Sequence, residues 1–400
     1  MDQVQNVLNQ ATGLVQNAVG AVLGAASGGL PARQLGNNGP FVTAIGFGTM
    51  GLSAFYGKPK PDAERFAVLD AAYEKGELHW DSADMYRNPL GIGLERDANT
   101  ASGTKTVRIF SVNGSRTTQA SVRRSSSRPR SDVSASCNVK YTDAPQFANV
   151  VKPDGSRYID SSPEYVKEAC AKSLKRLGID TIDLYYCHRL DGKTPVEKTV
   201  EAMAELKKEG KIKYLGLSEC SADSLRRAHK VHPISCVQIE YSPFSLDIET
   251  PEINLLKTCR ELGVAIVCYS PIGRGMMSGE IRSPKDFEEG DFRKFAPRFS
   301  EENFPKNLEL VDKISELAKK KGVTASQLTL AWILAQGPEF IPIPGTTRID
   351  RLEENLGALK IHITSEEEKE IRQACENATV HGGRYPESFS KACYADTPPL

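Results

Sequence analysis

The sequence carries no surplus of charge: its 51 basic and 51 acidic residues cancel to a formal net charge of +0. Such a balance gives no general attraction to nucleic acid or to an anionic membrane, and neither is expected as a partner. A CxxC pair is also missing. The nine cysteines, at 137, 170, 187, 220, 236, 259, 268, 375 and 393, follow no metal-ligand spacing, so no metal site is expected. An odd number of thiols, several inside apolar runs such as Ile266-Val267-Cys268-Tyr269, fits buried free cysteines in a reducing compartment, and a cytoplasmic location is expected. Residues 1–30 hold no lysine or arginine, which argues against a signal or transit peptide. Gln and Asn interrupt their apolar residues, against a membrane span, and a disordered or weakly helical extension is expected. No Gly-x-Gly-x-x-Gly follows the first strand, which disfavours a doubly wound dinucleotide fold.

What is present is a strand-helix rhythm in a chain of 400 residues, 40% hydrophobic and 26% charged, a balance that supports a large soluble core. Strands are expected at Thr43–Phe47, Leu78–Asp81, Thr181–His188, Ile212–Ser218, Cys236–Ile239, Val264–Tyr269 and Phe340–Ile343. Helices are expected between and after them, at Pro61–Lys75, Ser162–Gly178, Pro195–Gly210, Ala222–His229, Pro251–Leu262, Asn307–Lys321, Ala325–Ala335 and Ile349–Leu356. The stretch 162–178 shows the logic: Ser-Pro starts it, Val166, Ala169, Leu174 and Leu177 recur at helical spacing, and Gly178 stops it. Alternating β and α elements with near-continuous apolar strands imply a parallel sheet coated by helices. Seven good strands and one missing between residues 87 and 150 favour an α/β fold of the (β/α)8 TIM-barrel type with a disrupted third βα unit. In such a barrel the chemistry sits at the strands' C-terminal ends, where Asp81, His188, Ser218, Gln238 and Tyr269 fall.

Asp81 and Tyr86 stand five residues apart in His79-Trp80-Asp81-Ser82-Ala83-Asp84-Met85-Tyr86, and His188 closes a later strand. Reduction of a carbonyl needs a hydride donor, a proton donor to the forming alkoxide, and polarisation of the C=O. A tyrosine can give the proton, an imidazole can orient the carbonyl, and a neighbouring ammonium held by a carboxylate would ease the phenol's ionisation. Taken singly, each residue has a plainer reading. Asp81 could be a helix cap or ion-pair partner, Tyr86 and Tyr269 packing residues, His188 a satisfied core histidine, and Arg348 and Arg351 a solvated helix face. Their joint order along the chain is what those readings leave unexplained.

Over residues 31–86 and 147–375 the chain resembles the aldo-keto reductases, near their pyridoxal-reductase-like branch. The resemblance implies NADPH-dependent reduction of small aldehydes or ketones, with Asp81, Tyr86 and His188 catalytic and Tyr86 the proton donor. It further implies that Ser218 and Gln238 hold the nicotinamide carboxamide, although Glu219 stands where many relatives have asparagine. Tyr269 would stack on the nicotinamide, and Ser270, Ile272, Gly273, Arg274 and Gly275 would wrap the pyrophosphate. Thr346, Arg348, Arg351, Glu354 and Asn355 resemble the adenosine 2′-phosphate site, which favours NADPH over NADH, although Gly345 stands where many relatives have lysine. The segment Met276–Phe304, with Phe292, Phe295 and Phe299, and the tail 376–400 would shape a pocket for flat or apolar substrates.

The middle of the chain departs from that pattern. Residues 111–136 contain nine serines and five arginines with little apolar periodicity, the composition of a disordered basic loop within an aberrant insertion at 87–146. The family has a helix here and then a strand ending near Ala-Thr-Lys-Phe, whereas this chain reads Ala144-Pro145-Gln146-Phe147, with glutamine in the lysine's place. Permitted codons for 103–130, read two nucleotides out of frame, can encode a helix and strand ending Ala-Thr-Lys. Two retained introns, the first shifting and the second restoring the frame, are therefore expected; spliced message coding 87–146 without interruption would refute them. If the chain exists as written, Cys137–Tyr141 or Gln146–Val151 must substitute for the third strand. Lys105 and Lys140 are then the nearest candidates in sequence for the missing ammonium. A rival reading is a catalytically impaired NADPH-binding barrel serving as a regulatory or redox-sensing subunit. No oligomeric state is legible.

Overall fold

The computed structural model describes residues 29–84, 92–97, 106–111, 142–151 and 156–400. Eight parallel strands form one sheet in sequence order: β1 (Phe47–Gly48), β2 (His79–Ala83), β3 (Thr142–Phe147), β4 (Ile182–Cys187), β5 (Ile212–Ser218), β6 (Cys236–Glu240), β7 (Ala265–Tyr269) and β8 (Phe340–Pro342). The ring closes between its first and last members, where Gly46 N–H donates to the Pro342 carbonyl (2.9 Å) and Gly48 N–H to that of Pro344 (3.3 Å). Close approach at this seam needs small residues, since a Cβ on Gly48 would lie 2.8 Å from the Ile343 carbonyl oxygen.

Helices α1 (Asp62–Glu74), α2 (Pro163–Leu177), α3 (Val196–Lys208), α4 (Ala222–Val231), α5 (Leu255–Leu262), α6 (Phe304–Lys321), α7 (Ala325–Ala335), α8 (Ile349–Gly357) and α9 (Ser365–Asn377) accompany the strands. Their limits follow local chemistry. The Ser162 side chain accepts from Tyr165 N–H to start α2, and left-handed Gly178 (φ 61°) ends it. The large core lies between helices and sheet, with Val166, Val200, Met203, Leu225 and Trp332 fully buried. A smaller one fills the barrel: Leu184, Tyr186, Cys236, Val267 and Ile341, capped at one end by Leu35 and Val42 of an antiparallel hairpin, Ala32–Gln34 with Phe41–Thr43.

Gly216 on β5 makes room for that interior packing, because a Cβ there would meet the Tyr186 ring at 2.4 Å. Gly216→Ala is expected to destabilise the fold by about 1–3 kcal/mol, the usual cost of overpacking a filled core, read as a lower urea midpoint.

The third strand corrects the sequence expectation. Of the two expected substitutes, Cys137–Tyr141 lies outside the described residues, and Gln146–Val151 supplies it only in part: Gln146 and Phe147 belong to the strand, while Asn149–Val151 pairs antiparallel with Arg157–Ile159. Thr142–Phe147 runs between β2 and β4, pairing Asp81 with Ala144 and Tyr186 with Gln146. Pro145 hid this strand from the sequence, since proline cannot donate to a ladder. Fully buried Phe147, stacked on Tyr185 at a centroid distance of 4.7 Å, anchors it, and Ala148 (φ 91°) turns the chain away. Within the insertion at 87–146, Ile92–Asp97 and Thr106–Ser111 form an antiparallel ribbon, while residues 112–136 of the loop expected to be disordered lie outside the described residues. Seven cysteines are buried free thiols and Cys393 is half-buried, while Cys137 lies outside the described residues. No described helix is long and apolar enough to cross a membrane.

Candidate active site

Parallel register brings the C-terminal ends of the strands to one rim. Ser218 pairs with Gln238 across β5 and β6, and Glu240 with Tyr269 across β6 and β7. His188 N–H donates to the Phe147 carbonyl (2.8 Å), which fixes the end of β4 beside β3.

Asp81 is buried at the centre of this rim. Gln238 Nε2 donates to its Oδ2 (2.7 Å), while Gln146 Nε2 lies 2.9 and 3.0 Å from its two oxygens and 2.8 Å from Gln238 Oε1. The three side chains thus form a closed triangle. Burial pushes the Asp81 carboxyl up to about 7, and the hydrogen bonds from Gln238 and Gln146 only partly oppose it. Gln146 Oε1 is buried and finds no hydrogen-bond partner among the described residues. The glutamine therefore satisfies Asp81 with an amide where an ammonium would have neutralised it.

His188 is buried, and burial together with the charge of Arg189 holds its imidazole well below the usual histidine range, so the neutral ring is the form present. Arg189 itself donates to Ser218 Oγ (3.1 Å), a contact without a signal in the sequence. Tyr86 lies outside the described residues, as do Lys105 and Lys140.

After β7 the chain turns through four left-handed residues, Ser270 (φ 50°), Gly273 (φ 55°), Arg274 (φ 56°) and Gly275 (φ 93°). Such a turn directs backbone N–H groups rather than side chains towards a ligand. Arg274 shows this: its guanidinium is buried, donating to Glu240 Oε2 (3.0 Å) and to the Arg384 carbonyl (2.8 Å). Ile272 packs at the edge of the main core.

At the start of α8 the Thr346 hydroxyl accepts from Arg348 N–H (3.1 Å), exposed Arg348 pairs with Asp350, and Arg351 pairs with Glu354 and Glu280. Asn355 is buried beneath them. Two guanidiniums at a helix start suit a phosphate dianion, which would compete with these carboxylates.

Sequence reasoning missed a second buried network. Glu219, fully buried with φ 51°, accepts from Tyr269 Oη (2.6 Å) and from both terminal nitrogens of Arg384 (3.0 and 3.2 Å). Burial pushes its carboxyl up, but Arg384 and Arg189 outweigh that and hold it below the usual range. Glu240 likewise sits among Arg274 (3.0 Å), Arg298 (3.3 Å) and Arg384 (3.8 Å).

Comparison with known proteins agrees with this geometry. The pattern of the Aldo/keto reductase family matches residues 44–376. The Schizosaccharomyces pombe protein named aldo-keto reductase yakc, whose name also carries NADP(+), is 46% identical over 371 residues, covering 93% of this chain and 99% of its own length. Aldo-keto reductase str7 of Strobilurus tenacellus is 48% identical over 363 residues, covering 89% and 95%. Among solved structures, a glycerol dehydrogenase from Gluconobacter oxydans superposes with a TM-score of 0.66 at 19% identity, covering 92% of this chain and 98% of its own, a likeness of fold. A thermostable aldo-keto reductase bound to the inhibitor epalrestat gives 0.57 at 25% identity, covering 86% and 99%. A barrel of eight parallel strands, a rim that gathers Asp81, His188, Ser218 and Gln238, and these matches have one reading: the chain belongs to the aldo/keto reductase family.

Proposed function

We propose that this protein reduces small aldehydes or ketones to alcohols with NADPH, in the cytoplasm. The convergence of Asp81, His188, Ser218 and Gln238 from four strands of one sheet carries the reading. NADPH, when bound, supplies the hydride. Neutral His188 donates a hydrogen bond that orients and polarises the substrate carbonyl, and Tyr86 delivers the proton to the oxygen. Ser218 and Gln238 hold the carboxamide of the nicotinamide, for which Gln238 must release part of its triangle with Asp81 and Gln146. The face of Tyr269 carries the ring, the backbone of Ser270, Ile272, Gly273, Arg274 and Gly275 wraps the pyrophosphate, and Thr346, Arg348, Arg351, Glu354 and Asn355 take the adenosine end. Residues 31–375 form the barrel, and the tail 376–400 borders the pocket.

The test is a panel of aldehydes and ketones incubated with NADPH and the full chain, followed by loss of NADPH absorbance. Saturable oxidation of NADPH with any of them supports the reading. Saturable NADPH binding without turnover across the whole panel favours the regulatory barrel, and absence of binding removes both.

A further inference from the structure

The last segment of the chain folds back over the rim and is fastened on both sides of Arg384. On one side the Asn307 side chain brackets the backbone of His381, donating to its carbonyl (2.8 Å) and accepting from its N–H (2.8 Å). On the other, Ala395 N–H donates to the Glu219 carbonyl (2.7 Å) and Ser221 N–H donates to the Ala395 carbonyl (2.9 Å), forming a parallel bridge beyond β5. The Asp396 carboxylate accepts from the Ser224 hydroxyl (2.6 Å). Between these fastenings Arg384 grips the two oxygens of Glu219. Tyr385 Oη also donates to Tyr269 Oη (3.1 Å).

This arrangement links three residues in series. Arg384 is a planar fork that fixes the rotation of the Glu219 carboxylate, as bidentate guanidinium pairs do. The fixed carboxylate then accepts the hydroxyl proton of Tyr269 at 2.6 Å, which fixes the far end of that ring. A tyrosine ring anchored at its backbone and at its hydroxyl retains little rotational freedom. Glu219 follows Ser218 directly, so one backbone step separates the carboxamide-holding hydroxyl from the carboxylate that sets the ring.

We propose that Arg384 is a positioning residue for the nicotinamide: acting through Glu219, it sets the Tyr269 ring on which the cofactor stacks, so that the C-terminal segment completes the cofactor site. The inference rests on the NADPH reading above. A clamp serving only stability would lower the melting temperature and leave the affinity of the folded protein for NADPH unchanged.

The experiment titrates NADPH into the full chain, by fluorescence of the bound nucleotide, for the unaltered protein and for Arg384→Met, Arg384→Lys, Tyr269→Phe and the double Arg384→Met/Tyr269→Phe variant. Residues coupled through one network commonly interact by about 2- to 150-fold. Arg384→Met and Tyr269→Phe are each expected to raise Kd on the order of tenfold, with Arg384→Lys between them and the unaltered chain. The double variant should bind no worse than the weaker single one, because both changes break links of the same series through Glu219. Unaltered affinity in Arg384→Met, or losses that multiply in the double variant, would overturn the proposal. Should Arg384→Met fail to fold, Tyr269→Phe and Arg384→Lys decide, and unaltered affinity in both overturns it equally. If the unaltered chain does not bind NADPH, the cofactor reading itself falls and this inference with it, a result distinct from binding that ignores Arg384.

Discussion

Gln146→Lys is expected to raise carbonyl turnover by about 10²–10⁴, the usual worth of general acid-base assistance. The amide of Gln146 bonds both oxygens of Asp81 but brings no charge, whereas a cation at that place would favour ionisation of the phenol proposed as proton donor. Lysine at the same place would pair with Asp81, release Gln238 Oε1 from its bond to Gln146, and remove the buried acceptor that has no partner among the described residues. An orphaned acceptor of that kind costs about 1–3 kcal/mol, so the substitution is not expected to destabilise the fold. A pH dependence accompanies the gain. The Asp81 carboxyl lies at about 7 against an ordinary 3.8, so protonation favours the folded state. Its stabilisation is complete below the ordinary value and is lost as pH rises through 7, at up to roughly 1.4 kcal/mol per pH unit. In Gln146→Lys the ammonium keeps Asp81 ionised, and this contribution to the slope should vanish from urea midpoints measured across that interval. Turnover within threefold or so of the unaltered chain, given normal NADPH binding, would show that the cation is not what the site lacks.

Glu240→Gln is expected to cost about 3–5 kcal/mol of stability, because removing one partner leaves buried charge uncompensated. Glu240 is 1% exposed, with Arg274, Arg298 and Arg384 all within 4.0 Å. Glutamine preserves shape and part of the hydrogen bonding but removes the only carboxylate that Arg274 and Arg298 reach within that distance among the described residues. The measurement is the urea midpoint. A loss below about 1 kcal/mol would mean that the guanidiniums find their compensation in water rather than in Glu240.

The barrel was legible because its strands announce themselves twice, as short apolar runs and by the glycines and prolines between them. Ile212–Ser218 and Ala325–Ala335 emerge with the limits expected, and the other strands shift by a few residues, which is where fraying ends and tight turns defeat periodicity. β1 is shorter than expected, because Phe41–Thr43 pairs with the hairpin rather than the ring. The third strand was located only at its end, by Gln146 and Phe147, because Pro145 breaks the pattern before them and the contacts that anchor the strand come from neighbours remote in sequence. Asp81, Ser218, Gln238 and His188 stood out as candidates because the sequence places them at or near the ends of expected strands. The pair of Glu219 with Arg384 was not, for 165 residues separate them and neither carries a periodic signal. Arg274 was expected from its loop to face the pyrophosphate with its neighbours, but local sequence held no hint that its side chain turns inward to Glu240.

The seam that closes the ring has a one-way character. Proline owns no N–H, so at Pro342 and Pro344 the eighth strand can only receive hydrogens from the first, while Ile343 between them donates the other way, to the carbonyl of Cys268 (3.0 Å). Parting the first strand from the eighth would therefore strand the amides of Gly46 and Gly48 and leave bare oxygens opposite, which water satisfies readily. Deuterium uptake at those two glycines is thus a clock for unzipping of the cylinder at this junction, independent of events at the rim.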